Sequence, residues 1–243
     1  MTFITQRDRF SPSFYDMIAE NLKKVEDKIS ASCLKCGRAK SDVKLIAVSK
    51  TQPIELIREV LDCGIIHLGE NKAQELRDKS ELISGNFFWH YIGHLQSNKI
   101  KYVIKSAEFI HSVDSKKLAE EINQKAGMIN KKQKVLLEIK TSDEATKFGL
   151  STEKEIFEVA EFCLTQTNLE LSGLMTMAPY TEDRKVIRDC FMKVRVLKHK
   201  FESNGILINE LSMGMTNDFE LAIEEGATMI RIGTAIFGER NYN

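Results

Sequence analysis

The chain has 243 residues, 42% hydrophobic and 29% charged, with 35 basic side chains balanced by 35 acidic ones. That composition suits a globular protein able to bury a sizeable core, and α/β barrels run to roughly 250 residues as one domain. Zero net charge gives no support for long-range attraction to nucleic acid or an anionic membrane, beyond what a local patch would provide.

Residues 1–9 lack the apolar segment of a secretory signal, and no apolar run is long enough to cross a bilayer. A helical pattern follows over 14–36 and ends in Cys33-Leu34-Lys35-Cys36-Gly37. A C-x-x-C pair can be redox-active or half of a zinc site. No second pair and no neighbouring histidines complete four ligands, so these read as two cysteines on a last helical turn with Gly37 at C′. Five scattered cysteines argue against a disulfide framework and for a reducing, cytoplasmic setting.

Beyond Gly37 the chain alternates. Apolar, β-branched runs at 43–49, 65–70, 87–93, 109–114, 134–140, 170–177, 209–213 and 229–233 read as strands. Amphipathic segments near 53–63, 71–83, 97–106, 115–128, 152–167, 183–203 and 217–225 read as helices. The strand runs are continuous, as expected for a parallel sheet covered on its outer face. Ser115 and Ser151 precede helices as caps, and Asn217-Asp218-Phe219-Glu220 fits a capping box. Eight strand–helix units with an extra N-terminal helix and no linker predict one (β/α)8 TIM barrel over 1–243. A doubly wound open sheet would carry a Gly-rich turn after its first strand. Here that turn is Ser49-Lys50-Thr51-Gln52, without glycine.

In a barrel the carboxyl ends of all strands meet on one face, where active sites form. Lys50 ends the first strand. Partial burial there depresses an amine's pKa and lets it condense with an aldehyde, whereas a lysine at a strand end can also simply extend into water. Asn71, after the second strand, is placed to donate to a phenolate-type oxygen or to cap the next helix. The third strand end, Trp89-His90-Tyr91-Ile92-Gly93-His94, offers His94 as a base and His90 as an inward-facing ring; either is also an ordinary structural histidine. Lys147-Phe148-Gly149 reads as a loop, and Met175-Thr176-Met177 as barrel core. No H-E-x-x-H or His/Cys cluster points to a metal.

The last two strand ends combine hydroxyls, glycines and helix starts: Ser212-Met213-Gly214 and Arg231-Ile232-Gly233-Thr234. Gly233 would allow close approach of a phosphate, and Ser212 and Thr234 would donate hydroxyls. The alternative is that the glycines only make tight turns. Arg231, between Ile230 and Ile232, points either into the barrel mouth toward an acceptor or outward among the helices.

Taken in order, Ala47-Val48-Ser49-Lys50-Thr51, Gly69-Glu70-Asn71, Trp89 through Lys99, Gly173-Leu174-Met175, Leu211-Ser212-Met213-Gly214-Met215 and Arg231 through Gly238 resemble the YggS/PROSC-type pyridoxal 5′-phosphate (PLP) homeostasis proteins. That family is similar in fold to the barrel domain of alanine racemases, the fold-type III PLP proteins, and the resemblance runs from about Met17 onward. It implies that Lys50 forms the internal aldimine with PLP. It implies that Ser212, Gly233 and Thr234 hold the phosphate, that Arg231 faces the pyridine nitrogen, and that Asn71 lies near the ring substituents. It further implies a monomer that holds PLP and buffers or delivers it, to apo PLP-dependent enzymes among others, with no assigned catalytic residue and little turnover. The chain stops at Asn243 after the eighth unit, so the racemases' C-terminal β domain is not expected. Two alternatives stay open: a PLP-dependent amino-acid racemase using His94 or Tyr91 as second acid, and a cofactor-free Schiff-base aldolase.

Overall fold

A computed structural model describes residues 12–142 and 148–239. Eight parallel strands close in chain order: β1 (Lys44–Val48), β2 (His67–Glu70), β3 (Phe88–Tyr91), β4 (Ala107–Val113), β5 (Gln133–Glu138), β6 (Leu169–Met175), β7 (Glu210–Ser212) and β8 (Met229–Ile232). Closure is made by β1, which pairs Val48 with Gly69 on one side and Ile46 with Arg231 on the other. The helices are α1 (Pro12–Lys35), α2 (Ile54–Asp62), α3 (Ala73–Leu82), α4 (Ile100–Val103), α5 (Lys116–Gly127), α6 (Glu153–Thr165), α7 (Arg184–Ser203), α8 (Phe219–Glu224) and α9 (Thr234–Phe237). The predicted barrel and its extra N-terminal helix are therefore observed. The helix expected over 97–106 is a 3-10 turn at Ser97–Lys99 running into the short α4.

Both faces of the strands are buried, which explains their continuous apolar runs. Leu45, Ala47, Leu68, Ile110, Leu137, Leu174 and Ile230 belong to the large core shared with the helices, while Ile46, Phe109, Leu136, Met175 and Met229 form a separate cluster inside the barrel. Alternate positions thus point inward, and the same parity carries His90, His111, Glu138, Ser212 and Arg231 to the interior. Helix α1 buries Ile18, Leu22, Val25 and Ile29, a spacing of three to four residues that makes one apolar face, and packs on α8, α9 and α2. Asn21 Nδ2 anchors it to the Ile236 carbonyl at 3.1 Å.

The end of α1 is the predicted one. Gly37 has φ +68, Arg38 N–H donates to Cys33 O at 2.9 Å, and Gly37 N–H donates to Leu34 O at 3.2 Å. That double closure is the Schellman arrangement, and Cys33 is a buried thiol on the last turn. Ser115 caps α5 through Leu118 N–H, as read. Helix α6 is capped instead by Thr152, one residue later than read, because its hydroxyl reaches the Glu155 N–H. The capping box at α8 does not form: Asp218 turns back to accept from Met215 N–H at 2.5 Å.

Candidate cofactor-binding site

The carboxyl ends of the strands surround a cavity of about 480 Å³. Lys50 from β1, Asn71 from β2, His94 from β3, Glu138 from β5, and Arg231, Gly233 and Thr234 from β8 all line it. Five of the six residues read as site residues are thus brought together; Ser212 is not among the lining residues. Asn71 is not a cap, since Lys72 precedes the first residue of α3. Its carbonyl lies so close to Gly93 that a Cβ there would come within 2.1 Å of it, and Gly93 thereby lets the β2 and β3 loops meet beside the cavity.

At the first strand end, Gln52 N–H donates to Ser49 O at 3.0 Å and closes a turn with Lys50 and Thr51 at its centre. Thr51 has φ +64, a left-handed conformation that a β-branched residue resists.

The last two loops form the opposite wall. Gly214 has φ +93, and a Cβ on it would lie 2.6 Å from Ala222 Cβ and 2.9 Å from Phe219 Cα. Only glycine lets this loop fold back against α8. Among the described residues, the backbone N–H groups of Thr216, Asn217, Gly233 and Thr234, all cavity-lining, donate to no protein acceptor. Helices α8 and α9 are six and four residues long, so these separate donors, not a long helix dipole, make the wall anion-seeking.

Ser212 lies beneath this wall, fully buried. Its Oγ accepts from Arg231 Nη1 at 2.6 Å and lies 2.9 Å from His111 Nδ1. In this structure its hydroxyl holds Arg231. A second Arg231 nitrogen, Nη2, donates to Thr176 O at 2.9 Å. Burial pulls the Arg231 guanidinium down to about 10, with Asp218 and Glu138 opposing, so it stays charged at neutral pH.

Behind Ser212 runs a line of imidazoles. His111 Nε2 meets His90 Nδ1 at 2.9 Å, and His90 Nε2 meets His67 Nδ1 at 2.9 Å. Arginine can only donate, so Ser212 must turn its own proton to His111 Nδ1, its remaining partner among the described residues. Each ring in turn must carry its proton on Nε2. Burial lowers all three histidines, reinforced by Lys44 at His67 (where Glu210 opposes), by the flanking rings at His90 and by Arg231 at His111, and keeps them neutral. His111 and His67 were not singled out in the sequence; the signal was parity, since His111 is two residues beyond the inward-facing Phe109.

Glu138 was also missed. Burial first, and then the Asp114 charge, push its carboxyl up to about 7, although Arg231 pulls it down. It stands on β5, across the barrel from β1. His94 Nδ1 lies 3.3 Å from Asp114 Oδ2, and its ring stacks on Phe148 at 3.7 Å between centroids. Tyr91 is a different case. Its hydroxyl donates to His94 O at 3.1 Å, burial pushes it up to about 12, and it does not line the cavity. As a second acid it is withdrawn. Gly149 takes φ +122 beside the backbone of Lys140, which accounts for a glycine there, while Lys147 lies outside the described residues.

Residues 16–241 match the family model described as alanine racemase, N-terminal domain. The chain is 43% identical to the pyridoxal phosphate homeostasis protein of Aquifex aeolicus, with 92% of this chain and 98% of that one covered. It is 39% identical to the protein of that name from Escherichia coli K12, over 93% and 98% of the two chains. Among solved structures, PipY of Synechococcus elongatus with PLP bound superimposes with a TM-score of 0.79 at 33% identity, covering 91% of this chain and all of that one. The chain therefore belongs to the alanine racemase N-terminal domain family, in its branch of pyridoxal phosphate homeostasis proteins.

Proposed function

We propose that this protein binds PLP covalently on Lys50 and keeps it for intracellular homeostasis, holding the free aldehyde low and passing the cofactor to apo-enzymes in the cytoplasm. The residues present fit the group. One cavity brings a lysine, a buried guanidinium and four backbone N–H groups, unpaired among the described residues, together, which matches an aldehyde, a ring nitrogen and a phosphate. When bound, PLP supplies an aldehyde with which the Lys50 amine condenses, releasing water.

The remaining roles belong to the chain. Thr234 and the N–H groups of Thr216, Asn217 and Gly233 grip the anionic tail. Arg231, charged and able only to donate, holds the ring nitrogen unprotonated, which makes the ring a weak electron sink and favours storage over turnover. Ser212 and Thr176 fix its direction. The observation that carries this reading is that Lys50 and Arg231 line the same cavity as the unpaired donors.

Titration of the purified protein with PLP should give an absorbance band near that of a protonated imine, fixed by borohydride onto Lys50. Lys50→Ala should lose the band. A variant with the same band and affinity would overturn the assignment.

One observation supports a second reading, an amino-acid racemase: His94 lines the cavity beside Asp114 and is placed to move a proton. Incubation of single-enantiomer amino acids in D₂O separates the two. Deuterium at Cα at catalytic rates favours the racemase, and its absence favours the carrier.

A further inference from the structure

The turn that carries Lys50 is held from outside by a buried cluster of charges. Lys79, on α3 and 8% exposed, donates to Ser49 O at 2.8 Å and to Glu70 Oε1 at 2.7 Å. Ser49 Oγ donates to the same Glu70 oxygen at 2.6 Å. Glu75, one turn before Lys79, accepts from Thr51 N–H at 2.8 Å and lies 3.2 Å from the Lys79 ammonium. Although partial burial opposes it, the Thr51 N–H and the Lys79 charge hold the Glu75 carboxyl below its ordinary range.

The two backbone atoms engaged have a special place. The Ser49 carbonyl belongs to the peptide bond before Lys50, and the Thr51 N–H to the peptide bond after it. Both peptide planes flanking Lys50 are therefore fixed by α3. The fixing is needed, because Thr51 sits at φ +64, where threonine loses free energy. A buried ion pair is weak evidence for stability as such, since desolvation offsets much of its attraction, but it defines geometry well.

We propose that Glu70, Glu75 and Lys79 are positioning residues that aim the Lys50 amine at the carbonyl of its ligand. The proposal rests on the cofactor reading above. Its consequence is specific: the cluster should matter for ligands that condense with Lys50 and not for ligands that only fill the cavity.

Pyridoxine 5′-phosphate separates the two, because it has the ring and the phosphate but an alcohol in place of the aldehyde. The variants are Glu75→Leu, and Lys79→Met combined with Glu70→Gln so that no lone carboxylate is left buried. The proposal expects each to bind PLP roughly tenfold more weakly, since small misplacement of a reacting group costs that much or more. Pyridoxine 5′-phosphate affinity should stay at the wild-type value, and Glu75→Gln, which keeps an oxygen at Thr51 N–H, should behave as wild type. Thermal melts confirm folding. Equal weakening of both ligands would mean a merely structural cluster and overturn the proposal, as would unchanged PLP affinity. Failure of the underlying reading looks different: the wild-type protein would then bind both ligands alike and yield no borohydride-fixed adduct on Lys50.

Discussion

Arg231 and Ser212 form one unit: Nη1 of the guanidinium donates to the serine hydroxyl at 2.6 Å, and neither side chain is more than 4% exposed. Loss of the hydroxyl leaves a buried donor on Arg231 and an unserved ring nitrogen on His111. That costs about 1–3 kcal/mol. Ser212→Ala should lower stability by that amount in urea unfolding. It should also weaken pyridoxal and PLP by the same factor, since under the proposed function the serine aims the Arg231 guanidinium at the pyridine nitrogen. Thr234→Ala should weaken PLP alone. If Ser212→Ala weakened only the phosphorylated ligand, its hydroxyl would be a phosphate contact after all.

Glu138 makes stability depend on pH in an unusual direction. Its native carboxyl titrates at about 7 against an ordinary 4.5. Between those values the native state holds a proton that the unfolded chain has released, so this group's contribution falls as pH rises. Glu138→Gln removes the dependence, and the variant should gain on wild type by up to about 3 kcal/mol between pH 5 and 8. Denaturant melts across that range check it, and a constant difference would show that Glu138 titrates normally.

The three histidines of the imidazole line, His67, His90 and His111, act in the opposite sense. Their native pKa values lie below the ordinary 6.5. Unfolded imidazoles take up protons that the native ones refuse, so stability is complete above 6.5 and declines as pH falls. In the Glu138→Gln background, these rings should therefore add proton uptake to unfolding near pH 5.5. Nitrogen-15 spectra should show neutral Nε2–H tautomers at pH 7 for His90 and His111. Nδ1–H tautomers would reverse the assigned direction of the line.

Two glycines with positive φ should respond unequally to alanine. At Gly37 a Cβ meets nothing within 4 Å, so only the left-handed conformation is penalised, about 1 kcal/mol. At Gly214 the same conformation is joined by a collision with Ala222 and Phe219, which adds about 1–3 kcal/mol. Urea unfolding of Gly37→Ala and Gly214→Ala should rank them in that order, and equal costs would mean the α8 loop shifts freely.

Much of the architecture was readable because it is local. The run from Leu45 to Val48 is strand-like whatever surrounds it, and eight such runs separated by helical patterns admit few folds other than a closed barrel. Caps were less secure. Ser151 and Thr152 are equally good candidates by type, and only the position of the Glu155 N–H chose between them. The capping box read from Asn217 to Glu220 is replaced by a helix that starts one residue later, after Asp218, whose carboxylate accepts from Met215 N–H. Ser212 shows the same limit at the site: a hydroxyl near a glycine at the end of a late strand reads as a phosphate donor, and its partners Arg231 and His111 come from other strands that no local pattern names.

Residue order alone determined the eightfold alternation, the placement of Lys50, Asn71, Arg231, Gly233 and Thr234 at strand ends, and their convergence once the strands close. Period-two and period-3.6 patterns are properties of neighbouring residues, and closure then follows from burying every apolar face. Tertiary structure alone decided what each polar side chain meets. His111 and Ser212 are 101 residues apart, Arg231 and Thr176 are 55 apart, and Lys79 reaches 30 residues back to Ser49. Such partners are set by which inward positions share a level of the barrel and by which helix packs against which strand end, and a hydrogen bond depends on tenths of an ångström that no local pattern encodes.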